Sequence, residues 1–348
     1  MSGNAAGEIR ADADVRPILQ LHSSRHCNLL CDHCYSVSGP KEKGGLGEAA
    51  VARLISDAWA YGYRVLSVSG GEPLMDPGLW PALAHARALG FQTDLVSNGT
   101  LIGEAVAARL AGLADLIAIS IDGRPERHDS IRRSPGAFRR AIAGIRRLRA
   151  AGVTVGIIHT VRTETLSELR WLIALARDEG AAMLQLHPIE AAGRAAALTA
   201  EEGLLETRLA MLAELIARDG CPGVAVHCDV FPVAALQAAP RCNGEARSAT
   251  LAELIDPLVV EPDGAVLPWV FGIDRALALG SIAETPLDSL LARRGPAWLE
   301  DALAHRRRVE EDLAHCDWPF VNWFAALAAR PWRDAGPVEA GRALRAAG

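Results

Sequence analysis

Lysine occurs only twice in the chain, at Lys41 and Lys43, and arginine carries the rest of the positive charge. That bias reads as genomic base composition rather than function. The net charge is −6, so binding to nucleic acid would need a local basic patch. The best candidate is Arg139, Arg140, Arg146, Arg147 and Arg149, interleaved with Phe138, Ile142, Ile145 and Leu148 at helical spacing. This pattern reads as the solvated face of an amphipathic helix, and no nucleic-acid partner is expected. No apolar run is long enough to cross a bilayer, and the opening "MSGNAAGEIRADADVR" lacks a secretory pattern. The expectation is a cytoplasmic protein without membrane contact. Cysteine is scarce, seven in 348 residues, which argues against a disulfide framework and for metal or redox chemistry.

What the chain does contain is a rhythm of short apolar runs, polar loops and amphipathic helices from about residue 17 to 220. The expected strands are "PILQLH" (17–22), "RVLSVS" (64–69), "FQTDLVS" (91–97), "DLIAISID" (115–122), "VTVGIIHT" (153–160) and "AMLQLH" (182–187). Helical spacing fills the intervals, as in Val51, Leu54, Ile55, Ala58 and Trp59, or Leu169, Leu172, Ile173 and Ala176. Gly62, Gly90, Gly152, Gly180 and Gly220 stand where helices end before a strand, the position that favours a left-handed residue. Six βα units predict an α/β fold, a partial (β/α)6 TIM-like barrel, followed by a small α+β C-terminal extension. The expected division is a flexible tail over 1–14, the barrel over 15–220 and the extension over 221–348.

Side chains alternate across a strand. Gln20 and His22, Ser67 and Ser69, Ser120 and Asp122, and Gln185 and His187 share one face of their strands. Leu19 and Leu21, Leu66 and Val68, Ile117, Ile119 and Ile121, and Leu184 and Leu186 share the other. The apolar face must meet the helices, so the polar face lines the interior. A closed eight-stranded barrel fills its interior with branched apolar side chains; a polar lumen suits a polar ligand. Gln20, His22, Ser69, Gln185 and His187 are therefore the candidate substrate pocket. The competing reading is a buried polar network, which would require mutual partners for every group.

The loop after the first strand, "CNLLCDHCY", carries Cys27, Cys31 and Cys34 at the end of the sheet where parallel barrels build active sites. Three thiolates bind three irons of a cubane cluster and leave the fourth open. The alternative is a structural zinc site in a scaffold or interaction protein, with His26 or His33 as fourth ligand, but no partner knuckle lies nearby.

Cys-x3-Cys-x2-Cys after the first strand resembles the signature of the radical S-adenosylmethionine (SAM) enzymes. "GGEP" (Gly70 to Pro73) follows the second strand, "SNGT" (Ser97 to Thr100) the third, and "SIDG" (Ser120 to Gly123) with "HDSIRRSPGAF" the fourth. The likeness covers roughly residues 15 to 220. It implies one 4Fe-4S cluster on Cys27, Cys31 and Cys34, whose open iron takes the amino and carboxylate groups of SAM. Reductive cleavage then yields a 5′-deoxyadenosyl radical that abstracts a substrate hydrogen. It also implies SAM contacts from Gly70, Gly71, Glu72, Pro73, Ser97, Asn98, Ser120 and Asp122, with Glu72 accepting from an ammonium and Arg132 or Arg133 pairing with the carboxylate. His33 takes the family's aromatic position; its backbone meets adenine and its imidazole is given no role.

The C-terminal third resembles the SPASM or twitch extension of peptide-modifying relatives, in "RCNG" (241–244) and "EPDGAVLPW". Yet Trp269 stands where a cysteine is expected, and only Cys221, Cys228, Cys242 and Cys316 remain. Their spacing matches no cluster pattern, so the extension is expected to be a degenerate, metal-free lid. Without auxiliary clusters to accept an electron, epimerisation, decarboxylation and rearrangement rise relative to oxidative crosslinking. Cys228 and Cys316 are the candidate hydrogen donors. A hairpin is expected over 258–269, and helices near 285–304 and 306–315. The expected partners are a peptide or a sugar- or nucleoside-like substrate and a flavodoxin- or ferredoxin-type reductant. With the first strand beginning near residue 17, no peptide-recognition domain is expected before the barrel.

Overall fold

Branched apolar residues at alternate positions place six parallel strands side by side in chain order: β1 (Ile18–His22), β2 (Val65–Ser69), β3 (Gln92–Ser97), β4 (Leu116–Ser120), β5 (Thr154–Val161) and β6 (Met183–Pro188). The computed structural model describes residues 16–198, 209–210, 223–234, 250–315 and 319–329. Helices α1 (Glu48–Ala60), α2 (Leu79–Leu89), α3 (Glu104–Leu110), α4 (Pro125–Ile131), α5 (Ala137–Ala150) and α6 (Leu169–Asp178) return the chain between strands. The expected tail over 1–14, Gly220 and "RCNG" lie outside the described residues.

The two faces of the sheet divide as the alternation predicts. Leu19, Leu21, Leu66, Val68, Ile117, Ile119, Leu184 and Leu186 are fully buried. Each side chain so removed from water contributes about 1.5–3 kcal/mol. Gln20, Ser67, Ser120, Gln185 and His187 on the other face keep partial exposure. The outward face of α5 carries Arg139, Arg146, Arg147 and Arg149 exposed, with Ile142, Ile145 and Leu148 buried beneath.

The sheet continues past six strands at both edges. After β6, β7 (Ala225–Cys228) adds in parallel, and β8 (Val230–Pro232) leaves to pair with β12 (Phe320–Asn322) in a separate ribbon. On the opposite edge, after the short helix α7 (Leu251–Leu254), β9 (Leu258–Val260) pairs in parallel with β1. The hairpin partner β10 (Ala265–Pro268) and then β11 (Gly280–Ser281) follow. The order is β11-β10-β9-β1-β2-β3-β4-β5-β6-β7, an open ten-stranded sheet. A boundary at residue 220 thus falls within one continuous sheet.

The two helices expected between 285 and 315 are one, α8 (Leu287–Ala314), with Pro296 inside it; α9 (Trp323–Ala328) follows β12. An interior proline costs about 3 kcal/mol or more. A buried stripe of Leu290, Trp298, Ala302, His305, Val309 and Leu313 runs across the proline, and Trp298 Nε1 donates to Leu277 O at 2.7 Å. Packing outweighs the local break.

Candidate cofactor and substrate site

The cysteine loop leaves β1 at His22 and closes on its own backbone. Cys27 N donates to Gly39 O at 3.2 Å and Gly39 N to Arg25 O at 3.1 Å. All three thiols are free, Cys27 and Cys31 buried and Cys34 half-buried. Burial pushes the Cys27 thiol up to about 12, with Glu72 and the neighbouring thiols adding to the effect; burial also raises Cys31. Cationic metal is what such a nest of buried donors needs in order to ionise. Cys34 Sγ accepts from Ser38 N at 3.3 Å and lies 3.4 Å from Ser36 Oγ, while Cys27 Sγ accepts from Leu29 N at 3.4 Å. The turn that delivers Ser38 N forces Val37 to φ +55°, a conformation that a β-branched side chain resists.

The "GGEP" loop after β2 is laid directly on this backbone. Gly71 N donates to Ser24 O at 2.8 Å and Glu72 N to His26 O at 2.9 Å. A Cβ on Gly71 would stand 2.2 Å from the His26 carbonyl oxygen, so only glycine fits. Glu72 itself is buried and already engaged. Its Oε1 accepts from Ser97 Oγ at 2.8 Å and Leu74 N at 3.3 Å, and its Oε2 accepts from Asn98 N at 2.9 Å. The carboxylate expected to meet an ammonium therefore braces the β2 loop, including Pro73, against "SNGT". Asn98 Nδ2 continues the brace to Asn28 Oδ1 at 2.9 Å, inside the cysteine loop.

The segment after β4 forms a buried charge network. Asp122 Oδ2 accepts from Arg132 Nε at 2.6 Å and lies 3.4 Å from His33 Nε2. Asp122 N donates to His128 Nδ1 at 3.2 Å. Burial alone would raise the Asp122 carboxyl, but the Arg132 guanidinium and the surrounding imidazoles hold it well below the usual range. The His33 imidazole, given no role from the sequence, is thus a partner of Asp122. Arg132, expected to meet a carboxylate of SAM, has its Nε engaged by Asp122. Asp32 N donates to Ile131 O at 3.0 Å, and Asp32 pairs with Arg133, tying this segment to the cysteine loop. Ser120 ends β4 half-buried.

On the polar face, His22 is fully buried; burial lowers its pKa to about 3, so it is neutral. Its Nδ1 lies 3.2 Å from Ser69 Oγ and 3.5 Å from the Tyr35 hydroxyl, and Phe271 stacks at 4.6 Å between ring centroids. At the far side, Asp229 receives both Gln185 Nε2 and, at 2.6 Å, His187 Nδ1. Glu190 lies 3.5 Å from His187 Nε2 and accepts from Asn322 Nδ2 at 3.4 Å. The buried-network reading therefore holds for part of the lumen, because Asp229 supplies partners that the strand pattern did not reveal. Cys228 stands in register with Leu186 and packs against the apolar core, so its thiol belongs to the face opposite Gln185 and His187. Cys316 lies outside the described residues.

Beside Asp229, three residues beyond the sequence reading complete the site. Arg194 clamps the cysteine loop from after β6, through Nε to Cys31 O at 2.7 Å and a guanidinium nitrogen to Ser38 O at 2.8 Å. Tyr35 and Phe271 close the end of β1. For Phe271 and Asp229 no local signal exists; for Arg194, the preceding Gly193 marked a turn after a strand end, where βα loops carry function.

His187 yields a pH expectation. Burial disfavours its charge, but Glu190 and Asp229 overcome that and raise it from 6.5 to about 9. The stability it contributes is then complete below about 6.5 and is lost as pH rises through about 9. Thermal melts from pH 6 to 10 should show a steeper alkaline decline in the wild type than in His187→Gln; parallel curves would contradict the ion-pair assignment.

Thiols and hydrogen-bonding loops at the C-terminal ends of successive parallel strands define a partial-barrel α/β protein built around a cofactor. Residues 21–176 match the radical SAM superfamily. The pre-heme d1 synthase of Dinoroseobacter shibae is 36% identical over 181 residues, covering 51% of this chain and 45% of that protein. The mycofactocin maturase MftC of Mycobacterium ulcerans is 31% identical over 172 residues, 49% and 46% of the two chains. The chain thus spans about half the length of these curated relatives. The crystal structure of anSMEcpe with bound AdoMet and a Cp18Cys peptide has the same fold, with a TM-score of 0.61 at 21% identity over 90% of this chain and 88% of that one.

The family's cofactors are a 4Fe-4S cluster and SAM, and the donor set fits them. Three free thiols share one loop, and buried His22 Nε2 and His33 Nδ1 beside it have no protein partner. A single zinc ion needs all its donors within about 2.3 Å of one point. Among the described residues no group of three or more His, Cys, Asp or Glu side chains is arranged to hold a single metal ion.

Proposed function

We propose that the protein is a radical SAM enzyme that abstracts a hydrogen from a polar substrate in natural-product biosynthesis. The observation that carries this reading is the direct hydrogen bonding of the cysteine loop to the loops after β2, β3 and β4. Cys27, Cys31 and Cys34 would hold the cluster; Gly70–Pro73, Ser97, Asn98, Ser120, Asp122, Arg132 and the His33 backbone would surround SAM. When bound, the cluster and SAM supply reductive carbon–sulfur cleavage and a 5′-deoxyadenosyl radical.

The chain's own residues orient and protect. Gly71 lets the β2 loop lie against the cysteine backbone without a side chain between them. Glu72 fixes the spacing of the β2 and β3 loops by accepting from both. Arg132 keeps a full positive charge beside Cys31, where Asp122 holds its guanidinium in place. Asp229 holds Gln185 and His187 at the far wall as a hydrogen-bonding surface, which suits a peptide backbone or the hydroxyls of a sugar- or nucleoside-like molecule. The mycofactocin maturase likeness and the peptide held by anSMEcpe favour the peptide class.

The test is anaerobic reconstitution with iron and sulfide, reduction by dithionite in the presence of SAM, and mass spectrometry of 5′-deoxyadenosine. The wild type is expected to form it, and the Cys27→Ala, Cys31→Ala, Cys34→Ala triple variant to fall to background. Equal yields from both proteins, or a colourless wild type that binds one zinc and forms no product, would overturn the reading.

A further inference from the structure

We propose that Ser36, backed by Ser38, donates a hydrogen bond to the Cys34 thiolate and thereby raises the reduction potential of the cluster. The inference rests on the radical SAM reading and extends it to two residues that the cysteine spacing does not mark.

The stretch "CYSVS" (34–38) places two serines behind the last thiol. Both are 2% exposed, so their hydroxyls must find partners within the protein. Val37 stands between them at φ +55°, and a β-branched residue is held there only where its surroundings require it. The bend at Val37 brings the two hydroxyls together, with Ser36 Oγ 2.7 Å from Ser38 Oγ. It also turns Ser38 N onto Cys34 Sγ at 3.3 Å, while Ser36 Oγ stands 3.4 Å from the same sulfur. Cys27 Sγ, by comparison, has Leu29 N at 3.4 Å and Asn98 Nδ2 at 3.9 Å. Of these two thiols, Cys34 is the one that hydrogen-bonding groups approach more closely.

Proton counting fixes the direction of the bonds. Among the described residues the partner of Ser38 Oγ is Ser36 Oγ, so the Ser38 proton is spent there. The Ser36 proton then has two acceptors within reach, Gly70 O at 3.3 Å and Cys34 Sγ at 3.4 Å. Against a neutral thiol the carbonyl wins, because thiol sulfur accepts weakly. A metal-bound thiolate has no proton of its own and carries negative charge, and hydrogen bonds to ionised groups are roughly twice as strong as neutral ones. Ionisation of Cys34 onto metal therefore turns the Ser36 proton from Gly70 O to the sulfur. Ser38 to Ser36 to sulfur is then a polarised chain in a dry setting, each bond strengthening the next.

Reduction adds an electron whose charge spreads onto the ligand sulfurs, and a donor at one of them favours the reduced form. Hydrogen bonds to sulfur are among the levers that set cluster potentials. The exchange is one electron from a low-potential one-electron donor to the oxidised cluster, with no covalent bond made or broken.

The test loads the wild type, Ser36→Ala, Ser38→Ala and the control Ser56→Ala with cluster under anaerobic conditions. Ser56 is exposed on α1, far in sequence from the thiols. Each protein is titrated with dithionite without SAM, and the reduced cluster is read by electron paramagnetic resonance. Ser36→Ala is expected to lower the reduction equilibrium constant about tenfold, which is 59 mV for one electron. Ser38→Ala should lower it about threefold, since it removes only the polarising bond, and Ser56→Ala should match the wild type.

A second readout separates a hydrogen bond from a change of shape. After exchange into heavy water, electron–nuclear double resonance of the reduced Ser36→Ala protein should show one fewer exchangeable deuteron coupled to the cluster than the wild type. If Ser36→Ala holds too little cluster to titrate, Ser38→Ala decides, being one hydroxyl further from the sulfur. Unchanged potentials overturn the proposal. So does a shifted potential with every deuteron retained, which assigns Ser36 to packing alone, or a lost deuteron with the potential unmoved. A wild type that takes up zinc and no iron–sulfur cluster overturns the radical SAM reading and the proposal together, before any variant is compared.

Discussion

Gly71→Ala is expected to yield a protein that neither retains a full complement of iron nor forms 5′-deoxyadenosine. The added Cβ would lie 2.2 Å from the His26 carbonyl oxygen, 2.8 Å from its carbon and 2.9 Å from the Arg25 carbonyl carbon. Those are backbone atoms between β1 and the first thiol, so no side-chain rotation relieves the clash. The loop must move, taking with it the Glu72 N to His26 O bond and the placement of Cys27. Gly47→Ala is the matched control: its φ is −64° and an added Cβ meets nothing within 4 Å. Iron per chain after reconstitution, measured beside a thermal melt, separates loss of the site from loss of the fold. Wild-type iron and product from Gly71→Ala would refute the packing described for these two loops.

Asp122→Asn should be the most destabilising single change in the charge network. It leaves the buried Arg132 guanidinium without its counter-charge, a loss that amounts to about 3–5 kcal/mol when one partner of a buried pair is removed. In a chain of this size a melting point lower by about 5–10 °C would follow. A buried pair replaced as a whole behaves differently, because its desolvation cost vanishes with it. The double variant Asp122→Leu, Arg132→Met is therefore expected to melt above Asp122→Asn, although it loses the cation beside Cys31. A single variant within about 1 kcal/mol of the wild type, or a double variant melting below it, would mean that the pair is more hydrated than its burial implies.

The strands β1 to β6 were legible because a two-residue period over branched residues has few other readings, and the expected ranges differ from the observed ones by at most two residues at either end. Gly62, Gly90, Gly152 and Gly180 adopt the left-handed conformation expected of them. The four loop motifs were legible because each follows directly on an apolar run that forms a strand. What was hidden depends on contacts distant in sequence. Nothing local says that Leu258–Val260 will lie beside β1, or that Asp229 will reach across to Gln185 and His187. Glu72 shows a further limit: the chain already supplies it with three donors, and only the folded arrangement reveals that. The unbroken α8 shows burial on one face overriding a proline that reads locally as an interruption.

The pairing of β1 with β9 has a consequence for how the molecule is made. The strand that presents the thiols is interior, with β2 on one side and a strand some 240 residues later in the chain on the other. During synthesis β1 can join β2 early, but its second flank stays an unpaired edge until residue 260 has left the ribosome. Pairings that close such long loops form late, and an open edge invites association with other chains. Shutting that edge and finishing the floor beneath the cysteine loop are one event, so iron delivered to a nascent chain would meet an unfinished cradle. Maturation of the centre is thereby tied to completion of the C-terminal hairpin, and deletions there should first be felt as poor iron retention.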